Sequence, residues 1–182
     1  MRKVVLGLGC SLDGYIARKD GGVDWLSMDW DYDWTKFFGT IDTVLMGRKT
    51  LEKTIELMPS EGAPSNPYKG TKAYVFSRTL TESPAEDIEL YSGSLAELIR
   101  DLKSREGKDI WLAGGGELAR SFFEEDLVDQ VYLGLTPHLL GSGIPLFPEM
   151  LREIPLRLVS CNICKHTKED NAMLELLYEV KR

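Results

Sequence analysis

Apolar residues along the chain fall into short runs of strand length, which alternate with amphipathic segments of helical period. An apolar run of about four to eight residues bounded by turn residues is typical of a buried strand, whereas an apolar position at every third or fourth residue is typical of a helix. Strands are therefore predicted at residues 3–11, 43–47, 73–77, 88–92, 109–114, 128–137, 156–166 and 172–181. Helices are predicted at residues 29–38, 48–57 and 95–105 and after residue 116. Loops are predicted at residues 58–70 and 138–147.

This order of elements predicts the fold class. Strands that alternate with helices favour a largely parallel central sheet with helices on both faces, that is, an α/β fold of three layers. The last two predicted strands flank the turn segment 167–171 and form an antiparallel hairpin at the C-terminus. Because a length of 182 residues suits one domain, a single domain spanning residues 1–182 is expected.

Charge and hydropathy exclude several classes of protein. The formal net charge is -7, from 29 acidic and 22 basic residues, which argues against a broad nucleic-acid-binding surface. No apolar run approaches the roughly 20 residues of a spanning helix, so no membrane association is expected. The N-terminal segment "MRKVVLGLGC" is interpreted as the first core strand, because its apolar stretch is shorter than that of a secretion signal.

The three cysteines Cys10, Cys161 and Cys164 are too few and too scattered for a disulfide framework, which favours a cytoplasmic protein. Cys161, Cys164 and His166 have the spacing of half a metal site. They lie in a predicted strand, where residues three apart point to opposite faces, and no second ligand pair follows. They are interpreted as ordinary strand residues, and no metal is expected.

Three strand-to-helix junctions carry the candidate chemistry. They comprise Gly47, Arg48, Lys49 and Thr50 at the first, Ser77 and Arg78 at the second, and Gly114, Gly115, Gly116, Glu117 and Leu118 at the third. Helix starts offer free backbone N–H groups to anions, and ligands of open α/β sheets bind at the carboxyl ends of the strands. Together the junctions predict a site for a cofactor that carries several phosphates.

The third junction matches the pattern G-x-G-x-x-A of a Rossmann domain. However, that domain requires an acidic residue at the end of the next strand, and Asp129 precedes the next strand instead. An ordinary Rossmann domain is therefore rejected.

Five motifs, "SLDGYIA", "VLMGRKTLE", "VFSR", "WLAGGGELA" and "LLGSGIPLF", give the chain its family resemblance. In this order and spacing the chain resembles the dihydrofolate reductase-like fold, and within it the reductase domain of the riboflavin-biosynthesis protein RibD. The resemblance covers nearly the whole chain and implies NADPH as the cofactor. It also implies that the domain forms a homodimer.

The resemblance implies a role for each junction. Arg48 and Thr50 would meet the cofactor phosphates, while Ser77 and Arg78 would meet the adenosine ribose and its 2'-phosphate. Residues 114–118 would meet the pyrophosphate and the nicotinamide side. The implied chemistry is hydride transfer to a C=N or C=O group of a small molecule.

A proton donor must accompany the hydride. Asp33 is the nearest match to the carboxylate that dihydrofolate reductases carry on their first helix, and Asp31 is the second choice. Burial beside aromatic residues would raise the pKa of Asp33, whereas a plain helix-start acid is an equal alternative. Asp13 is a third candidate, with a simple Asp-Gly turn as its alternative.

The substrate stays open. Ala113 occupies the place of the glutamate that holds the substrate ribose in RibD-type reductases, and the first loop lacks the proline-tryptophan pair of dihydrofolate reductases. We expect a reductase of a pterin, an aminopyrimidine such as 5-amino-6-(5-phosphoribosylamino)uracil, or a carbonyl compound. The alternatives are a true dihydrofolate reductase and a non-catalytic NADP-binding module.

Overall fold

A central sheet of eight strands organises the chain in the computed structural model, which describes residues 1–57, 66–83, 85 and 87–182. Its strands are β1 (Val4–Ser11), β3 (Ile41–Gly47), β4 (Lys72–Phe76), β5 (Ile88–Tyr91), β6 (Asp109–Gly114), β7 (Gln130–Thr136), β9 (Leu156–Lys165) and β10 (Ala172–Val180). They follow the spatial order β5-β4-β3-β6-β1-β7-β10-β9. The first six strands of that order are parallel to one another, and β10 is antiparallel to both of its neighbours.

Helices cover both faces of this sheet. They are α1 (Trp34–Gly39), α2 (Arg48–Leu57), α3 (Leu95–Ser104) and α4 (Gly116–Glu124). One buried cluster joins α3 and α4 to the sheet through residues such as Leu98 and Phe122, together with Leu6 and Leu112. A second cluster joins α2 to the opposite face through Leu51 and Met46, with Phe37 of α1 packed against it. The predicted three-layer α/β architecture with a C-terminal antiparallel hairpin is confirmed.

The start of α1 differs from the prediction, because the helix spans Trp34–Gly39 and not residues 29–38. The Asp33 carboxylate accepts hydrogen bonds from the backbone N–H groups of Thr35 and Lys36, so it caps the helix there. Upstream, Trp30 forms an isolated bridge with His166 in the turn after β9. The polar cap and this pairing keep residues 29–33 out of the helix.

A second, two-stranded sheet pairs β2 (Tyr15–Ala17) with β8 (Ile144–Pro145). The segment 138–147 was predicted to be a loop, and β8 is too short to leave a periodic pattern in the sequence. Of the predicted loop 58–70, residues 58–65 lie outside the described residues. At α3, the Ser94 hydroxyl accepts the Glu97 N–H and caps the start of the helix.

The described residues contain no helix that is both long and apolar enough to cross a membrane. Nor do any three or more His, Cys, Asp or Glu side chains within that part of the chain come together in a group that could hold a metal ion.

Candidate functional site

The three predicted junctions meet at the carboxyl ends of the neighbouring parallel strands β3, β4 and β6. We call this end of the three strands the junction edge. β3 lies between β4 and β6, with Gly47 opposite Phe76 and Met46 opposite Gly114. Because these strands are parallel, the segments that follow Gly47, Phe76 and Gly114 leave the sheet side by side. The first and third junctions touch, since a Cβ built on Gly47 would lie 3.9 Å from the Gly114 carbonyl oxygen.

Two of the three consecutive glycines, Gly114 and Gly116, are required by the fold, each for a different reason. Gly114 has a φ of +92°, which L side chains rarely adopt. A Cβ on Gly116 would come within 2.9 Å of the Pro145 carbonyl oxygen, so β8 packs directly on this residue. Gly115 has neither constraint, because the nearest atom to its Cβ position is Thr50 Oγ1 at 3.7 Å. Gly115 is therefore the glycine whose backbone is open to a ligand.

Two helices of nine or ten residues begin beside this open backbone. α4 begins after Gly115, which is its N-cap and provides no side chain to bond the first N–H groups. α2 begins directly after β3, with Arg48 paired to Glu52 at 2.7 Å, while Lys49 is exposed and Thr50 is half-buried. Both N-termini carry partial positive charge, and both favour an anion in the space between them.

The other candidate residues at the junction edge differ in whether their polar groups already form hydrogen bonds or ion pairs within the protein. The Ser77 hydroxyl accepts the N–H groups of Thr79 and Leu80, so it shapes the turn after β4. Arg78 is exposed and forms no ion pair within the described residues. On α4, Glu117 is exposed and Leu118 is half-buried against the α3 and α4 cluster. Arg78 thus presents an exposed guanidinium at the junction edge that no described carboxylate pairs with.

Asp33 does not have the environment that was expected for a proton donor. Its side chain is exposed, and its Oδ1 accepts the Thr35 hydroxyl at 2.5 Å. This hydrogen bond and those from the Lys36 and Thr35 N–H groups lower the pKa of Asp33. The expected rise in its pKa by burial is wrong, because the carboxylate points to solvent from the helix start.

Asp13 and Asp31 also have defined surroundings. Asp13 accepts hydrogen bonds from the Ser11 hydroxyl and from the N–H groups of Leu140 and Gly141, and the Ser11 bond most strongly lowers the pKa of Asp13. It therefore ties the turn after β1 to the loop after β7. Asp31 is exposed, and its backbone N–H donates to the Lys165 carbonyl oxygen.

A cleft of about 270 Å³ lies between the start of α1 and the C-terminal hairpin. Its lining includes Asp31, Tyr32, Asp33, Lys36, Cys164 and Glu175. Asp31 and Asp33 are the proton-donor candidates predicted from the sequence, whereas Tyr32 and Glu175 were not predicted. Glu175 is one of two glutamates in the largely apolar strand β10, and only the pairing of β10 with β7 and β9 reveals its neighbours.

An aromatic cluster separates this cleft from the core. Phe37 packs edge-on against Trp111 and stacks on Tyr132, with ring centroids 5.5 and 5.3 Å apart respectively. The Trp111 indole N–H donates to the Gly7 carbonyl oxygen at 2.7 Å, and Gly7 pairs with Tyr132. Gly114 follows Trp111 by three residues on β6, a distance of about 10 Å along a strand. The aromatic cluster thus lies three residues before the glycine junction on the same strand.

Comparison with known proteins identifies the family of this chain. The RibD C-terminal domain family matches residues 2–168. The protein YwjB of Bacillus subtilis is 37% identical over 180 residues, which are 97% of each chain. A crystal structure of a putative riboflavin biosynthesis protein from Shewanella sp. PV-4 superposes with a TM-score of 0.81 at 29% identity and covers 100% of both chains.

A likeness of fold alone extends further. Dihydrofolate reductase from Enterococcus faecalis, in complex with NADP(H) and RAB-propyl, superposes with a TM-score of 0.71 at 18% identity. The match covers 99% of this chain and 97% of that one. The predicted dihydrofolate reductase-like fold is confirmed, and the chain belongs to the RibD C-terminal domain family.

Proposed function

We propose that this protein is an NADPH-dependent reductase that transfers a hydride to a small heterocyclic or carbonyl compound. The observation that carries the proposal is the open Gly115 backbone between the N-termini of α2 and α4. Membership of the RibD C-terminal domain family and the fold shared with an NADP(H)-bound dihydrofolate reductase support it.

The residues at the junction edge fit a dinucleotide with several phosphates. Backbone N–H groups at the two helix starts would bond the pyrophosphate, with Thr50 and Arg48 beside them. The exposed guanidinium of Arg78 would pair with a 2'-phosphate, which favours NADPH over NADH. When bound, the cofactor supplies a hydride from its nicotinamide. The protein orients the two reactants and provides the proton.

The substrate is proposed to lie over the aromatic cluster beside the cleft. The rings of Phe37 and Trp111 would shield a bound molecule from water, which strengthens its polar interactions. An activity screen tests the proposal: purified protein and NADPH are mixed with pterins, aminopyrimidines and small carbonyl compounds, and loss of NADPH absorbance is followed. Acceptor-dependent oxidation is expected with at least one class. Tight NADPH binding without oxidation by any acceptor would favour a non-catalytic module.

We also propose that the protein forms a homodimer through the edge strand β9. This strand ends the sheet and exposes Leu158 by 52%, Val159 by 46% and Ile163 by 70%. An edge strand with unpaired backbone groups and exposed apolar side chains is suited to pairing with a second copy.

A further inference from the structure

A chain of three hydrogen-bonding groups runs from the C-terminal hairpin to the cleft. The Tyr132 hydroxyl lies 2.5 Å from Glu175 Oε1 and 2.6 Å from the Tyr32 hydroxyl. Glu175 of β10 pairs with Gly134 of β7. Tyr132 lies two residues before Gly134 on β7, so the side chains of Glu175 and Tyr132 project from the same face of the sheet. Tyr32 and Glu175 both line the cleft, and the Tyr132 hydroxyl connects them by hydrogen bonds.

The direction of the hydrogen bonds among these three groups depends on whether the Glu175 carboxyl group is protonated. An ionised carboxylate only accepts hydrogen bonds, so Tyr132 must then donate to it and Tyr32 must donate to Tyr132. A protonated Glu175 instead donates to Tyr132, which donates to Tyr32, and the Tyr32 proton is free to point into the cleft. The protonated carboxyl group therefore turns Tyr32 into a donor toward a bound molecule.

The environment keeps both tyrosines as hydroxyls. Burial raises the pKa of Tyr132, and the hydrogen bond to Glu175 raises it further. Burial also raises the pKa of Tyr32. Rings on two sides shield the pair, since Tyr32 packs against Trp34 and Tyr132 stacks on Phe37. Neutral hydroxyls in a shielded chain can pass a proton without forming an exposed charge.

We propose that Tyr32, Tyr132 and Glu175 form a hydroxyl relay that delivers the proton for reduction, with Tyr32 meeting the substrate and the other two acting as positioning residues. The inference rests on the proposed reductase function. Reduction of a C=N or C=O bond adds a hydride to carbon, and the electron pair of the double bond moves to the heteroatom. That atom takes the Tyr32 proton, Tyr32 takes the Tyr132 proton, and Tyr132 takes the Glu175 proton. Glu175 remains as a carboxylate and regains its proton from water in the cleft.

Other charged and titratable groups line the cleft around Glu175. They are Cys164 on β9, Asp31 before α1, Asp33 at its start and Lys36 within it. Asn162 Nδ2 donates to the other carboxylate oxygen at 3.4 Å. The effect of the relay can be distinguished from the effects of these surrounding groups by substituting Tyr132, because none of them contacts the Tyr132 hydroxyl in the described structure.

The first experiment needs no substrate. Infrared spectra of the NADPH complex are recorded across a pH series for wild type, Glu175→Gln, Tyr132→Phe and Tyr68→Phe. The C–O stretching band of tyrosine depends on whether its hydroxyl donates or accepts, so the relay predicts that tyrosine bands and the Glu175 carboxyl band change at one pH midpoint. This coupled change should vanish in Glu175→Gln and Tyr132→Phe. Tyr68→Phe is the matched control, because it removes a half-buried hydroxyl that bonds to the Thr54 hydroxyl and takes no part in the proposed relay. Tyrosine bands that ignore the Glu175 midpoint would overturn the relay.

The second experiment uses an acceptor from the activity screen and measures single-turnover hydride transfer against pH. General acid catalysis contributes about 100-fold or more, so Tyr32→Phe should lose about that factor with the NADPH affinity unchanged. Tyr132→Phe and Glu175→Gln should each lose about tenfold or more in rate, with a smaller change in acceptor KM. Tyr68→Phe should keep the wild-type rate. Wild-type rates and pH profiles in Tyr32→Phe and Tyr132→Phe would overturn the relay. A wild-type protein that binds NADPH and reduces no acceptor would contradict the proposed function instead, whatever the infrared result.

Discussion

Thr50 and Gly115 face each other across the gap between two helix starts, with Thr50 Oγ1 3.7 Å from the position that a Cβ atom of Gly115 would take. The two residues are separated by 65 positions in the chain and are brought together by the pairing of β3 with β6. This relationship distinguishes Gly115 from the two glycines beside it, and the distinction can be tested.

Gly115→Ala should weaken NADPH binding at least tenfold while the protein stays folded. The residue has an extended backbone conformation, and its new Cβ would meet only Thr50 at ordinary contact distance. Loss of the glycine N-cap should lower the melting temperature by no more than about 4 °C. Titration with NADPH and thermal unfolding measure the two effects. An unchanged affinity would remove Gly115 from the cofactor site.

Gly116→Ala should instead destabilise the fold. Its Cβ would lie 2.9 Å from the Pro145 carbonyl oxygen and 3.3 Å from that of Leu146, and neither backbone group can move aside without shifting β8. Overpacking of this kind costs about 1–3 kcal/mol. Urea unfolding should show a lower midpoint with an unchanged slope. A midpoint equal to that of the wild type would mean that the contact with β8 is looser than the structure shows.

Arg78→Ala should weaken NADPH binding far more than NADH binding, because only NADPH carries the 2'-phosphate. Parallel titrations with the two dinucleotides measure the selectivity. Arg100→Ala is the control, since it removes an exposed arginine from α3, away from the junctions. Equal losses for the two cofactors in Arg78→Ala would reject this role.

Asp33→Asn separates two assignments of the proton donor. The prediction that Asp33 donates the proton requires lost turnover in this variant, whereas the Tyr32 relay requires that turnover survives. Single-turnover measurements at saturating NADPH decide between them. Asparagine is also a favoured N-cap residue, so the helix start should remain intact.

The same substitution has a consequence for stability against pH. The pKa of Asp33 is lower in the folded protein than in the unfolded chain, so the carboxylate contributes stability above its unfolded value of about 3.9. This contribution is lost as pH falls through the folded pKa. Unfolding curves should therefore show that the wild-type advantage over Asp33→Asn shrinks in acid. An advantage that grows in acid would contradict the lowered pKa.

Ile163→Lys should convert a dimer to a monomer if β9 is the interface. Light scattering during gel filtration measures the mass. Leu139→Lys is the control, because Leu139 is exposed by 74% in the loop after β7 and lies away from β9. A wild-type monomer, or a dimer that survives Ile163→Lys, would reject this interface.

Most of the fold follows from hydrophobic period and turn residues. Strands such as Val4–Ser11 and Asp109–Gly114 were predicted within one or two residues, because buried parallel strands are continuous apolar runs. The start of α1 was missed because the pattern of Trp30 and Trp34 suits a helix until the bridge to His166 is known. The site, like the fold, could be predicted from the sequence only in part. Glycines and cations at strand ends are visible in the sequence, whereas the contact between Tyr132 and Glu175 joins residues 43 positions apart and depends on strand register.

The measurement that tests the proposed function most directly is a titration of the purified wild-type protein with NADPH and NADH, followed by nicotinamide fluorescence and thermal unfolding. At 100 times the dissociation constant, a ligand of the folded state stabilises it by about 2.7 kcal/mol, which raises the melting temperature by several degrees. We predict saturable binding of NADPH that is clearly tighter than that of NADH. If neither dinucleotide binds, the junction edge is not a cofactor site and the proposed reductase function is contradicted.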